Sequence, residues 1–572
     1  MWPKSLQIAL FDRKLPAKRD GSRYIYGDDS SNSGDKEALD GEISQGVTAM
    51  ISLDQNSRDP LYVQIYDSIR RDITENALKP GEKLMPIRKL AESLDVSRNT
   101  VENAYAQLLT EGYVTSRSGS GYVVCDVDFS PLSEASVEKD RAAASRKTKQ
   151  VTSSAAIGRV SPSLTEEGLS GRNAAEHAAA RSTKLTSLSP SENRAPHAPA
   201  IEFDFTYGDR PRGSFPEVAW RKLTGDALFS VDSKANAYGD GLGEMELRAE
   251  IARRIHATRG VNCEPEQVVL QAGTQAALGN LLDLFDPMRD GVAIENPGYD
   301  GAMAVFRNRG FRITPLPVCP DTTEAQQDAF ASSLYASGAK LTFCTPSNQF
   351  PLGMTMPLSM RVRLIKWAAE RDGYILEDDY CREFRYTERP IPSLQSLDTR
   401  NRVIYMGTFS KVLSPALRMS YLVLPPQLLD RWREKFARHY CPVPWLSQKV
   451  LYLFMSEGYW DRYTRTTMTA YHKHRNLLME CLQHEMGGKI EIFGGTAGLH
   501  LLVATHDGRC ECELLTAAET AGVRVYPTSG YWMPRHQTDP CGRCVLVGFS
   551  SIEPELIPEG VHRLAQAWFP EK

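Results

Sequence analysis

Apolar positions recur at helical spacing in Pro60-Leu61-Tyr62-Val63-Gln64-Ile65-Tyr66-Asp67-Ser68-Ile69-Arg70, and Pro80-Gly81 closes that element. A second helix is predicted over about 87–94. A third begins at Ser97, whose hydroxyl suits the free amides of a helix start, and its stripe Val101, Ala104, Tyr105, Leu108 and Leu109 is the predicted buried face. The period then shortens: Tyr113 to Val124 reads as two strands around a glycine-bearing turn. Residues 1–57 include the polar run Gly27-Asp28-Asp29-Ser30-Ser31-Asn32-Ser33-Gly34-Asp35, and residues 127–199 are rich in Ser, Ala and charge. Such stretches bury too little surface to offset their ordering entropy, so they read as a disordered leader and a flexible linker. Met50 directly precedes the first patterned segment and is a candidate start. From 200 to 572 apolar strands alternate with amphipathic helices, the pattern of a large α/β domain with a smaller α/β part at its C-terminal end.

The predicted division is therefore 1–57, 58–126, 127–199 and 200–572, and a chain of 572 residues is too long for one core. A formal net charge of −4 excludes a generally basic nucleic-acid coat. The 58–126 module holds nine Lys/Arg against ten Asp/Glu, so any DNA contact there must come from position rather than charge. Eleven cysteines are scattered through the chain with no secretory apolar core near the start, which predicts reduced thiols in a cytoplasm. No apolar run reaches the roughly 18 residues that a membrane span needs, so a membrane partner is not expected.

Opposite the third helix's apolar stripe stand Arg98, Asn99, Thr100 and Asn103, short or forked polar groups near a helix N-terminus, where helix-turn-helix proteins touch base edges and phosphates. Arg88, Lys89, Arg98 and Arg117 would gather near one edge, while the acids mostly lie on the first helix and outside the turn. The bland alternative is a three-helix core with solvated charges. The module closely resembles the winged helix-turn-helix domain of the GntR family over the whole of 58–126, most visibly at Ser97-Arg98-Asn99-Thr100-Val101 and the turn before Tyr122. That resemblance matches Arg88, Arg98, Thr100 and the wing around Gly119 to DNA-contacting positions; with Asn99 and Arg117 they form the candidate set for operator double-stranded DNA. One departure is Leu84-Met85-Pro86, where the family has Leu-Pro-Ser before the helix-two arginine.

In the longer region, Val268 to Leu278 reads as a buried strand that ends in Gly273 and opens a helix at Thr274-Gln275, whose free amides suit a phosphate. Taken alone, a glycine there is only a turn. Val292-Ala293-Ile294-Glu295-Asn296-Pro297-Gly298-Tyr299 ends another strand with an aromatic able to stack on a planar ring. Tyr374-Ile375-Leu376 delivers Asp378 and Tyr380 at a strand's C-terminal end, where open α/β sheets place ligands. Asn348 lies in a Pro/Gly-rich loop able to serve the same ligand, whereas Asp379 reads as solvated surface. Lys411 follows Gly407-Thr408-Phe409-Ser410, with Arg418 seven residues on. A lysine amine near hydroxyls, an arginine and a strand-end carboxylate is what an aldehyde cofactor bearing a phosphate and a pyridine nitrogen requires, which implies pyridoxal 5′-phosphate.

In order and spacing these segments look like fold-type I aminotransferases, PLP-dependent enzymes, across about 200–572. The resemblance implies that Lys411 forms a Schiff base with PLP, that Thr274, Gln275, Thr408, Ser410 and Arg418 hold the phosphate, and that Asp378, Tyr380, Asn348 and Tyr299 hold the ring. It implies that Tyr238 reaches the phosphate of a partner subunit. It also places an arginine for the substrate carboxylate three residues before Phe549, where this chain has Leu546; Arg524 and Arg543 are candidate substitutes. Cys510, Cys512, Cys541 and Cys544 lack a suitably spaced histidine, so no metal is expected. End to end, the layout resembles the MocR subfamily of bacterial regulators. This implies a cytoplasmic homodimer, nucleoid-associated when DNA-bound, with heads exchanged over the partner's body. It would be a PLP-dependent transcriptional regulator sensing an amine effector, or PLP itself, through an internal aldimine. The alternative is an active aminotransferase with a DNA-tethering head.

Overall fold

The computed structural model describes residues 51, 53–54, 60–75, 77–117, 121–127, 200–211, 213–229, 236–320, 323–386, 391–533 and 543–570. Most of the expected leader, most of the expected linker and Gly119 lie outside the described residues.

The N-terminal module holds α1 (Leu61–Thr74), α2 (Ile87–Ser93), α3 (Arg98–Glu111), β1 (Val114–Arg117) and β2 (Gly121–Val124). Ile65, Ile69 and Ile73 of α1 pack with Leu90 of α2 and with Val101, Ala104, Tyr105 and Leu108 of α3, all buried. Leu109 departs from the expected stripe and is 38% exposed, because it lies about 100° round the helix from Leu108. The Ser97 hydroxyl accepts from the Thr100 amide at 3.1 Å, and Gly112, at φ +83°, ends the helix in the left-handed region. Strands β1 and β2 pair antiparallel from Val114↔Val124 to Arg117↔Gly121, which makes the wing. Tyr105 fastens α3 to the helix-two approach by donating to the Met85 carbonyl at 2.7 Å.

The body is built on a seven-stranded sheet. Strand β3 (Phe203–Asp204) leads in; the sheet then takes β4 (Val268–Gln271), β5 (Gly291–Asn296), β6 (Ile313–Pro317), β7 (Ala339–Cys344), β8 (Tyr374–Asp378), β9 (Val403–Thr408) and β10 (Ser420–Val423). Their order is β4-β10-β9-β8-β7-β5-β6, with β10 antiparallel to both neighbours and the others parallel. Strand β8 is buried throughout, as an apolar run in a sheet covered on both faces must be. A smaller antiparallel sheet, ordered β11 (Ile490–Gly494), β12 (His500–Thr505), β15 (Cys544–Gly548) and β14 (Tyr526–Pro527), forms the C-terminal part. The strand β13 (Val523–Arg524) pairs instead with β3. No helix among the described residues is long and apolar enough to cross a membrane.

The end of α3 meets the body directly: a Cβ built on Gly112 would stand 3.5 Å from that of Leu358. The expected exchange of heads concerns a second copy; within one chain the head packs on its own body. Cys510 and Cys512 are paired as a disulfide with Cα atoms 5.5 Å apart, which corrects the expectation of reduced thiols at that pair. The body helices needed below are α4 (Glu217–Phe229), α5 (Met245–Arg259), α6 (Thr274–Leu282) and α7 (Leu358–Glu370).

Candidate functional site

Register across the sheet brings the distant motifs together. Thr408 at the end of β9 sits opposite Ser420 of β10, and Ser420 sits opposite Gln271 of β4, so the turns after β4 and β9 leave the sheet side by side. After β4, Gly273 at φ +89° opens α6 with no side chain capping its first amides. The Arg418 guanidinium lies where a Cβ on Gly273 would be, so only glycine admits it. Arg418 itself is in the left-handed region at φ +46°. Thr408 donates through Oγ1 to Ser410 Oγ at 3.1 Å and accepts from the Ser410 amide at 3.2 Å. Free helix amides, two hydroxyls and a guanidinium are a set that fits a phosphate.

Asp378, one strand over, faces Met406 of β9 across the β8–β9 pair. It is buried, its Oδ1 has no hydrogen-bond partner, and burial followed by the charge of Asp379 pushes its carboxyl up to about 8. A buried acid left without a partner fits a protonated pyridine nitrogen, whose positive charge would hold it ionised. Asn348 donates through Nδ2 to the Tyr380 hydroxyl at 2.8 Å, and its Oδ1 is likewise buried without a partner. Tyr299 lies three residues beyond the end of β5, at the cap of the helix that follows; burial and the nearby Asp378 push its hydroxyl up to about 12.

Burial lowers the Lys411 amine below the usual lysine range, against the charges of Cys381, Asp209 and Asp378. The Nζ lies 4.2 Å from the Tyr207 ring centroid and occupies the space a side chain at Gly208 would need. Arg210 donates to the carbonyls of Lys411 and Val412 and so fixes that backbone. Tyr207 stacks on Phe350 at 5.5 Å and meets the His500 ring edge-on at 4.7 Å. Tyr207, Gly208, Arg210, Phe350 and His500 were not singled out in the sequence. Only Gly208, at φ +90° against a lysine, carries a local signal, and that signal needs the fold to be seen.

One expectation is corrected. Asp379 is not solvated: it is buried, bonded by Arg259 at 2.8 Å and by the Tyr405 hydroxyl at 2.6 Å, because an arginine 120 residues earlier neutralises it. Of the two candidate substitutes for a carboxylate-binding arginine, Arg524 is paired with Asp204 at 3.5 Å, and Arg543 directly precedes β15. Tyr238 is 83% exposed and stacks on Tyr440 at 4.4 Å, which is its ring contact in its own chain. Among the described residues no group of three His, Cys, Asp or Glu side chains could hold a metal. Cys541 lies outside them.

On the head, Arg98 and Asn99 are exposed and Thr100 is half-buried at the start of α3. Arg88 is exposed but paired with Glu92 at 3.0 Å. Arg117 ends β1; Gly119 is outside the described residues.

Residues 61–124 match bacterial regulatory proteins of the gntR family, and residues 204–529 match aminotransferase class I and II. The uncharacterized HTH-type transcriptional regulator YdeL of Bacillus subtilis (strain 168) is 34% identical over 514 residues, 89% of this chain and 97% of its own. The Probable rhizopine catabolism regulatory protein MocR of Rhizobium meliloti is 33% identical over 523 residues, 91% of this chain and 96% of its own. A solved structure of the α-aminoadipate aminotransferase LysN from Thermus thermophilus, complexed with N-(5′-phosphopyridoxyl)-L-leucine, superposes with a TM-score of 0.56. It is 26% identical and covers 64% of this chain and 91% of that one. With a winged helix-turn-helix head and a fold-type I aminotransferase body in one chain, aligned along nearly its whole length with such regulators, this protein belongs to the MocR subfamily of GntR transcriptional regulators.

Proposed function

We propose that the protein is a transcriptional regulator that binds pyridoxal 5′-phosphate at Lys411 and adjusts operator binding when an amine-bearing metabolite, or the supply of the cofactor itself, changes the state of that site. The observation that carries this reading is the unpartnered buried oxygen of Asp378 beside Lys411, at the strand ends that also form the phosphate cradle. When bound, the group supplies an aldehyde carbon that a primary amine can join and a protonated ring that draws electrons. Lys411 would hold the aldehyde through its amine. Thr274, Gln275, Thr408, Ser410 and Arg418 would hold the phosphate; Asp378 would keep the ring nitrogen protonated. Tyr380 and Asn348 would bond the ring's phenolic oxygen, and Tyr299 would cover a ring face. Arg88, Arg98, Asn99, Thr100, Arg117 and the wing around Gly119 would meet operator DNA, the N-terminus of α3 entering the major groove. A homodimer is supported by the exposed rings of Phe229 and Tyr238, 89% and 83% exposed, on and just beyond α4; Tyr238 would then serve the partner's phosphate.

Incubation of the loaded protein with candidate amines and an acceptor keto acid separates sensor from enzyme. A single spectral change without product accumulation is the expected result. Repeated turnover to a new amino acid would instead make the body an aminotransferase and the head a tether.

A further inference from the structure

The wall of the Lys411 site that must receive the rest of an incoming amine can be read from the pairing of the C-terminal sheet. Directly opposed residues of antiparallel strands share a face. His500 is opposite Gly548, Leu502 is opposite Leu546, and Leu546 is also opposite Tyr526. These residues therefore lie on one face. That face is turned toward the lysine: a Cβ on Gly548 would strike the Thr206 carbonyl and approach the Tyr207 amide at 2.8 Å, and Tyr207 carries its ring against Lys411. His500, on the same face, touches the Tyr207 and Phe350 rings.

Among the described residues no free cation stands on this face. Leu546 is 1% exposed and apolar, Leu502 is buried, and Tyr526 is engaged with Asp204 at 2.8 Å. His500 shares a hydrogen bond with the Pro351 carbonyl at 2.8 Å, and burial drives its imidazole down to about 4, so it stays neutral. Of the arginines nearby, Arg210 is committed to the Lys411 and Val412 carbonyls, Arg385 to the Ser347 carbonyl, Arg475 to the Gly495 carbonyl and Arg524 to Asp204, while Arg543 lies before the start of β15, three residues from Leu546. What the site offers instead is aromatic. Phe350 contacts Tyr207, His500, Tyr531 and Tyr380 at centroid distances of 5.5, 5.5, 4.8 and 6.2 Å. On the same segment as Tyr207 an exposed acid, Asp209, acts on the lysine amine. A carboxylate brought against this wall would lose its water and find no partner, which costs more than any packing it gains. A neutral or cationic body would pack on the rings.

We infer that the effector is a primary amine without a carboxylate, seated by the Tyr207, Phe350 and Tyr531 rings, and that Leu546 sets this selectivity. The inference rests on the cofactor reading given under Proposed function. It is tested with full-length PLP-loaded protein titrated with matched pairs that differ only by the carboxylate, phenethylamine against phenylalanine and cadaverine against lysine, read by cofactor absorbance. The decarboxylated member of a pair should reach half-maximal change at a concentration lower by about tenfold or more, the equivalent of one charge-assisted hydrogen bond forgone. Leu546→Arg should narrow or reverse that ratio while leaving the amine-free spectrum unchanged. Equal or better response to the amino acids by the native protein overturns the inference, and does so even if Leu546→Arg fails to fold. Protein that takes up no PLP, or whose absorbance survives Lys411→Ala, overturns the cofactor reading instead, so the two failures are distinguishable.

Discussion

Asp378 is the residue on which the proposed cofactor site turns, and its protonation has a sign that can be checked. An unfolded aspartate titrates near 4, whereas burial and Asp379 hold this one up to about 8. The folded, cofactor-free protein therefore binds more protons than the unfolded chain between those values. The contribution of Asp378 to stability is complete below about pH 4 and is lost as pH rises toward 8. Glu295, also buried with one oxygen unpartnered, is pushed up to about 7 and acts in the same direction. Asp378→Asn should accordingly stabilise cofactor-free protein at pH 8, on the order of 2 kcal/mol, and flatten the fall of melting temperature between pH 5 and about 8. The same substitution should weaken PLP binding by about tenfold or more, since a neutral amide cannot pair with a protonated ring. Melting curves with and without PLP decide it: a variant that is less stable when cofactor-free would show that the native carboxylate has a partner. Asp379, one residue on, shows how little an acid's neighbours in sequence disclose. Its run of charge reads as surface, yet Arg259 and Tyr405 reach it from distant elements and bury it.

At the scale of elements, the head was legible because its signals are local. Helix α3 announces itself through a hydroxyl at its start, a 3.6-residue apolar stripe and a glycine at its end, and the structure uses all three. Helix α1 and the wing are equally local. The rings that enclose Lys411 were not legible. Tyr207 lies 204 residues before Lys411 and His500 lies 89 after it, and only closure of two sheets brings them together. The exposed N-terminus of α3 carries its own prediction. Arg98 is exposed at the start of α3, so on the proposed reading Arg98→Ala should abolish sequence-specific retardation of an operator fragment while cofactor absorbance is unchanged. Arg88 is held by Glu92 in an exposed pair worth about 0.5 kcal/mol, which DNA can displace. Arg88→Ala should therefore weaken binding to all sequences alike and lower its salt dependence. Specific retardation that survives Arg98→Ala would remove α3 from the reading role.

Over the whole molecule, one loop touches both the proposed cofactor site and the head. Between β7 and α7 it carries Asn348, bonded to Tyr380 on the ring side, and then Leu352, Met354 and Met356, which with Gly112, Tyr113 and Val127 of the head line a cleft of about 550 Å³. Its path is constrained on both flanks. His500 bonds the Pro351 carbonyl from the cofactor side, and a Cβ on Gly353 would stand 2.7 Å from Gly494. Leu358, at the start of α7, packs beneath Gly112 and is 5% exposed. Beside it Glu111 is buried, accepts from the Tyr66 hydroxyl and from Gln107 at 3.0 Å, and is pushed up to about 7 by burial. Closely packed interfaces switch between arrangements rather than stretch, so a shift of Asn348 has a short, packed route to the end of the reading helix. Leu358→Asp would place a second carboxylate near Glu111 and against an apolar neighbour. The expected outcome is a head released from the body: faster proteolysis between the two domains, unchanged PLP absorbance, and operator affinity that no longer responds to an amine. If the amine still shifts retardation as in the native protein, this contact does not carry the signal and the coupling must run through the segment joining the domains or through a second copy of the chain.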